Sequence, residues 1–403
     1  MATPLTLTFG SENWLITVPP ERLVKPVRAH VVPPTVGPRE MVRAALEKPY
    51  GFESLRRALT PGDHVCIVID EKLPHLGEMV AAIIEHLITA EIRCEDITLL
   101  TTAPAAGSNW IDDLPDEFSD VKTEIHDPTD RKKLAYLATV AAEKRIYLNK
   151  TLVESDFAVI LSGREYDPVF GYIGAETTIF PTMSDDENLA SFRDAFDATA
   201  PGEDVWPTRA QSVEVAYLLG TPFFVQAIEG QGGTICEVVA GLRDSSAEGI
   251  RRLDAHRRAK VDELPQTVIA TIAESAERVT FADVAAAAAC AARVVEPEGR
   301  IIVLTPTLPL NGEGVSILRA AGDPTSAERR IKKRFPDDHA AALLWAFAAK
   351  RGRIYVSGCP DADAVDELFA TSITSANELQ KLADAAERLL ILPDAHKSMV
   401  DLI

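Results

Sequence analysis

Positive charge is scarce in this chain: 41 Lys and Arg stand against 61 Asp and Glu, for a formal net charge of −20. A surface of that sign repels phosphate backbones, so nucleic acid is not an expected partner. The basic pairs Arg251-Arg252 with Arg257-Arg258, and Arg329-Arg330 with Lys332-Lys333, sit among acids on expected helices and read as solvated faces. Cysteine is sparse too: Cys66, Cys94, Cys236, Cys290 and Cys359 are odd in number, far apart and without a CxxC, which excludes a disulfide framework and implies a reducing compartment. No apolar run reaches the roughly 18 residues of a membrane span, and no charged-then-apolar leader is present, so a cytoplasmic protein with no membrane partner is expected. The eight histidines show no HxH or HExxH spacing, so no dedicated metal site is expected. Gly230, Gly232 and Gly233 do not open a helix after a strand in a GxGxxG order, and a P-loop is missing, which argues against a Rossmann cofactor.

What is present is an ordinary globular composition, 46% hydrophobic and 25% charged over 403 residues. That length exceeds the roughly 250–300 residues at which one core stops growing, so two domains are expected. Leu5, Leu7 and Phe9 alternate with threonines, and the run from Trp14 to Val18 follows after a turn, which predicts an antiparallel pair. A helix over Arg39 to Leu46 stops at Pro49-Tyr50-Gly51.

Then strands at His64 to Asp70 and Ile97 to Thr102 flank a helix over Leu76 to Ala90, a βαβ unit. Further strands are expected at Val121 to His126 and Phe157 to Ser162, with a helix over Arg131 to Ala138 between them. Phe223 to Ala227 and Thr234 to Val239 predict a hairpin around the glycines. A polar helix is expected over Ser246 to Asp262.

Leu264-Pro265 is the expected domain boundary, because Pro cannot continue a helix. Beyond it come strands at Val268 to Ile272, Arg300 to Leu304, Arg353 to Val356 and Leu389 to Leu392. Helices over Phe281 to Ala292, Ala340 to Ala349 and Asn377 to Glu387 separate them. The fold class is thus α/β, with a larger αβα domain of mainly parallel sheet over 1–263, a smaller α/β domain over 264–387, and a tail, 388–403, that can return to the first. A cleft between the domains is where a small ligand is expected.

Several segments resemble the nickel-pincer lactate racemases and their 2-hydroxy acid racemase and epimerase relatives. These are Ala45-Leu46-Glu47-Lys48-Pro49-Tyr50-Gly51, the run from Leu148 to Asp156, Glu165 to Thr177 closing on Phe180-Pro181, and Asn311-Gly312-Glu313-Gly314. The resemblance implies a two-domain isomerase fold and hydride removal from C2 of a 2-hydroxy acid by a nickel pincer nucleotide. It implies two histidines as acid and base, a lysine bonded to the cofactor and a histidine on the metal.

Carried onto this chain, the two acid–base histidines fall on Pro104 and Asp167, the lysine on Thr177, and the metal histidine near Arg193. The arginine of the family's Asp-x-Thr-Arg-Pro turn falls on Leu73, beside Lys72. A second-domain lysine falls within Ala285 to Ala288. Proline and threonine carry no titratable group, and a guanidinium repels a divalent metal. No cofactor is therefore expected, and the chain reads as a racemase homologue lacking the family's catalytic set.

The leading expectation is binding of a small polar, hydroxyl- or carboxylate-bearing molecule, through Asp70, Lys72, Arg164, Glu165, Tyr166, Tyr172, Glu176, Thr177 and Arg193. Asp70 and Asp167 follow strands whose carboxyl ends usually face ligand in open α/β sheets. Two alternatives stand beside it: a cofactor-independent isomerase or lyase using Asp167 and His126 as acid and base, and a non-catalytic binding or assembly protein.

Overall fold

The computed structural model describes residues 3–29, 31, 33–103, 109–140, 143–167, 171–194 and 207–403. Two sheets organise the chain. The first has six strands, in the order Ile235–Gly241, Phe223–Glu229, Phe157–Gly163, Val65–Ile69, Ile97–Thr101 and Lys122–Ile125. All neighbours are parallel except the edge strand Ile235–Gly241, which returns antiparallel beside Phe223–Glu229.

Alternation along Val65–Ile69 fills both faces. Val65, Ile67 and Ile69 pack with helices Pro38–Glu47 and Leu76–Ile88, whereas Cys66 and Val68 join the layer of Leu152, Ile179, Phe180 and Val215. A strand buried on both sides reads as a continuous apolar run, which is why it was legible.

The second sheet is wholly parallel, in the order Ala370–Ser372, Arg353–Val356, Arg300–Leu304, Thr267–Thr271 and Leu389–Leu392. Its one face carries the alanine-rich helix Phe281–Ala292 and His339–Arg351. Alanine lets the helix lie close to the sheet at no cost in helix propensity. The other face is covered by helix Ala376–Asp384 and by the hairpin Thr3–Phe9 with Glu12–Val18, whose Leu7, Phe9, Ile16 and Val18 pack on Ile269, Ile302 and Leu304.

Leu389–Leu392 is thus a strand of the second sheet. Past it, Met399–Leu402 crosses to pair in parallel with Arg258–Val261. Two expected helices differ. Residues 134–139 form a strand paired with Arg145–Asn149, because Tyr136 stacks edge-on with Tyr147 across the pair. The helix from Ser245 stops at Arg257, where the returning tail claims Arg258–Val261 as a strand partner.

Two polar fixtures hold these layers. Arg164 is fully buried, with its Nη2 2.9 Å from Glu176 Oε2 and its Nε 2.8 Å from Gln226 Oε1. Gly174 and Gly249 make room, since a Cβ on Gly174 would stand 2.4 Å from the guanidinium carbon, and one on Gly249 2.9 Å from Gln226. The Arg164 pair draws the Glu176 carboxyl below its ordinary range even though burial alone would raise it.

In the second domain, Asp338 accepts the N–H groups of Gly314 and Val315 at 2.7 and 3.2 Å, capping helix Glu313–Arg319. That approach explains the Asn311-Gly312-Glu313-Gly314 turn. Gly312 has φ 125°, and a Cβ on Gly314 would lie 2.8 Å from Asp338 Oδ1.

Arg164→Met leaves Glu176 charged and buried without its cation, so a loss of about 3–5 kcal/mol in denaturant unfolding is expected. A loss below 1 kcal/mol would contradict this role. Gly314→Ala is expected to cost about 1–3 kcal/mol by crowding the cap, while Gly322→Ala, with open space around it, leaves the melting temperature unchanged.

Candidate functional site

The carboxyl ends of Val65–Ile69, Phe157–Gly163 and Phe223–Glu229 face the carboxyl end of Thr267–Thr271, and charged side chains collect between them. Asp70 leaves its strand half-buried and accepts N–H groups from Lys72 at 3.1 Å and Gly163 at 3.3 Å. Desolvation and then the nearby Glu165 raise its pKa, with Lys72 opposing. Lys72 is held above the ordinary lysine range, because Asp70, Glu165, Asp167 and Asp283 outweigh the desolvation that works against its charge. Four of the expected residues, Asp70, Lys72, Glu165 and Asp167, are therefore electrostatic neighbours in one place.

The same place holds residues that were not expected. Lys397, one-fifth exposed, donates to Glu229 at 3.1 and 3.2 Å and to Glu274 at 2.8 Å. Burial disfavours its charge, yet Glu165, Glu229 and Glu274 hold its pKa above the usual range. The same Lys397 keeps Glu274 below the carboxylate norm against desolvation, whereas desolvation lifts Glu229 above it.

Asp394 accepts the N–H of Gly232 and that of Ala273, each at 2.9 Å, and lies 3.7 Å from Arg257. Arg257 in turn donates to the Glu229 carbonyl at 2.9 Å. Arg278 spans the gap, its Nη2 2.8 Å from the Lys72 carbonyl. Between these groups lies a cavity of about 300 Å³ whose wall includes Glu229, Glu274, Arg278, Asp394, His396 and Lys397.

The remaining expected residues are employed elsewhere. Arg164 and Glu176 form the buried pair described above. Tyr166 is buried against Tyr172, with ring centroids 6.0 Å apart, in a cluster with Ile228, Val239 and Met399. The Tyr172 hydroxyl donates to Asp254 at 2.7 Å and accepts from Arg258 at 3.0 Å.

Thr177 Oγ1 donates to the Gly174 carbonyl at 2.8 Å and accepts the Gly174 N–H at 2.9 Å, closing the start of helix Ala175–Ile179. Arg193 lies in helix Asp186–Asp194, and its side chain, like Pro104, falls outside the described residues.

His126 follows the far edge strand, three neighbours from Phe157–Gly163, or about 14 Å at the usual inter-strand spacing. It contacts the Ser184 carbonyl at 2.9 Å, and burial lowers its pKa. The structure thus does not bring His126 and Asp167 together as an acid and a base. Among the described residues, no three His, Cys, Asp or Glu side chains come together as a metal site, and no helix is long and apolar enough to cross a membrane.

A signal for the missed residues existed. Asp394, His396 and Lys397 follow the apolar strand Leu389–Leu392, and Glu274 and Arg278 follow Thr267–Thr271, as Asp70 follows Val65–Ile69. The rule that singled out Asp70 applies equally to the second sheet.

Residues 9–198 match the family of the lactate racemase N-terminal domain. Among solved structures, the lactate racemase apoprotein from Thermoanaerobacterium thermosaccharolyticum aligns over 99% of this chain and 100% of its own, with a TM-score of 0.80 at 16% identity. A protein from Thermotoga maritima aligns over 91% of this chain and 98% of its own, with a TM-score of 0.66 at 13% identity. At these identities the superpositions establish the fold. Comparison with curated protein sequences finds no match. The sequence match places residues 9–198 in the lactate racemase N-terminal domain family, and along nearly its whole length the chain shares the fold of the lactate racemase apoprotein.

Proposed function

We propose that this lactate racemase-like protein binds a small polar, hydroxyl- or carboxylate-bearing molecule in the cavity between the two sheets, and that it is not a nickel-pincer racemase. The observation that carries the first half is the cavity itself. Its wall is built from both sheets and from the tail, and its charged groups are oriented by backbone N–H groups and by one another rather than left free. Pre-organised polar groups around a small concavity are the usual mark of a ligand site.

The second half rests on donor chemistry. The family resemblance sets a cofactor-linked lysine at Thr177 and an acid–base histidine at Asp167. A threonine has no amine, and the Thr177 hydroxyl is already used in both directions by Gly174. His126, the histidine nearest in sequence, is turned toward Ser184 at the opposite sheet edge. These residues do not fit the family's cofactor, and no step through it follows from them.

For the ligand, thermal shifts with lactate, malate, gluconate and the neutral polyol xylitol are expected to show stabilisation by at least one compound, through preferential binding to the folded state. Arg278→Ala is expected to weaken that binding about tenfold by removing one charged hydrogen-bond donor from the wall. A panel without any stabilising compound would overturn the cavity reading.

For the cofactor, protein co-expressed with cofactor-making enzymes is expected to contain no stoichiometric nickel and no cofactor absorbance band. Stoichiometric nickel together with lactate or malate racemisation refutes that half of the proposal.

A further inference from the structure

The ions of the cavity wall are matched among themselves. Lys397 serves Glu229 and Glu274, Arg278 lies 3.6 Å from Glu274, and Asp394 is held by two backbone N–H groups and by Arg257. Two groups beside the wall are not. Among the described residues, neither the Lys72 ammonium nor the Glu165 carboxylate has a hydrogen-bond or ion-pair partner. Lys72 is exposed and Glu165 half-buried, and the Glu165 oxygens, unlike Glu71 Oε1, are not sealed from solvent. Both charges can therefore be reached by a small molecule.

Backbone geometry sets Glu165 at the mouth of the cavity. Its strand, Glu165–Asp167, packs against the Ala395–Lys397 turn that forms part of the wall. The side chain folds back over Gly163, where a Cβ would stand 2.8 Å from Glu165 Oε1. The N–H of the same glycine goes to Asp70 at 3.3 Å, and Asp70 accepts the Lys72 N–H as well. Gly163 is thus flanked by two carboxylates, with Lys72 an electrostatic neighbour of both. Glu165 is also the neighbour of the wall residues Glu229 and Lys397.

The signs of these charges select the ligand. Four carboxylates, Asp70, Glu165, Asp167 and Asp283, surround Lys72, so a purely anionic molecule drawn to that ammonium meets repulsion from the rest. A purely cationic one meets Lys72 and Lys397. A carboxylate accepts hydrogen bonds and cannot donate, and an ammonium does the reverse. A ligand that answers both spare groups therefore carries a donor and an acceptor of opposite charge. Hydrogen bonds between charged groups are roughly twice as strong as those between neutral ones, which favours an ammonium over a hydroxyl opposite Glu165. The cavity, about 300 Å³, is at the lower end for ligand pockets and suits a molecule of amino-acid size.

We propose that the mouth of this cavity binds an α-amino acid as its zwitterion, the ligand ammonium donating to Glu165 and the ligand carboxylate accepting from Lys72. This rests on the cavity reading above and narrows its ligand class.

The test uses the full chain and matched pairs of probes, each in both enantiomers: alanine and lactate, serine and glycerate, aspartate and malate, glutamate and 2-hydroxyglutarate. The members of a pair differ only in an ammonium for a hydroxyl. By calorimetry at neutral pH, at least one amino acid is expected to bind at least about tenfold more tightly than its hydroxy acid. Glu165→Gln, which keeps the shape and removes the charge, should lose about tenfold in affinity for that amino acid and stay within about twofold for the hydroxy acid. Lys72→Met should weaken both members about tenfold. Glu165 has no partner to lose, so Glu165→Gln should melt close to the parent.

Several outcomes overturn the assignment. Hydroxy acids that bind as tightly as their amino acids, or an amino acid bound by Glu165→Gln as well as by the parent, sink the zwitterion and leave the broader cavity reading intact. So does silence from every amino acid while lactate, malate, gluconate or xylitol binds. An amino acid held equally well by Lys72→Met removes Lys72 from the site, and the paired recognition with it. Silence from all these compounds sinks both readings at once.

Discussion

One ammonium group ties this molecule together. Lys397, near the end of the chain, reaches Glu229 at the end of the first sheet's Phe223–Glu229 and Glu274 just beyond the second sheet's Thr267–Thr271. Two carboxylates brought this close repel each other unless a cation stands between them, so the relative placement of the sheets depends on where the tail delivers that lysine. Asp394 repeats the arrangement with the opposite sign, accepting one N–H from each side through Gly232 and Ala273. The strand pair Met399–Leu402 with Arg258–Val261 then fixes the tail in register, so the four-residue turn before it cannot drift.

Around this junction the polar residues divide by position rather than by type. Arg164 and Lys72 are both cations near carboxylates. Arg164 points into the layer beneath the sheet and is enclosed by Glu176, Gln226 and Ser246, where its charge stabilises packing. Lys72 follows a strand end and lies among carboxylates facing the cleft. The same holds for imidazoles. His126 has the Ser184 carbonyl for one nitrogen, whereas His396, at the cavity wall, has no such backbone oxygen among the described residues. A buried charge needs a fixed partner to persist, so a fully enclosed ion pair is a poor place for an exchangeable ligand, and a half-enclosed one at a strand end is a better one.

The parallel strands were legible because burial on both faces writes itself as an unbroken apolar run, as in Val65–Ile69 and Arg300–Leu304. Residues 134–139 were misjudged because their strand is half-exposed, and its pairing with Arg145–Asn149 is a cross-strand matter that no local period records. The helix from Ser245 was extended too far for a related reason: Arg258–Val261 is a strand only because a segment about 140 positions later lies beside it. In the site, Asp70, Lys72, Glu165 and Asp167 could be found from strand ends. Arg164 and Glu176 looked equally polar, and their enclosure depends on Gly174 and Gly249 admitting the guanidinium, a three-dimensional fact.

By itself the sequence determined the α/β class and the order of most elements, since these follow from residue type and local period. Only the tertiary structure decided which charges meet. Glu229, Glu274 and Lys397 are separated by up to 168 positions along the chain, and Coulomb attraction acts over a few ångströms of space whatever the distance in sequence.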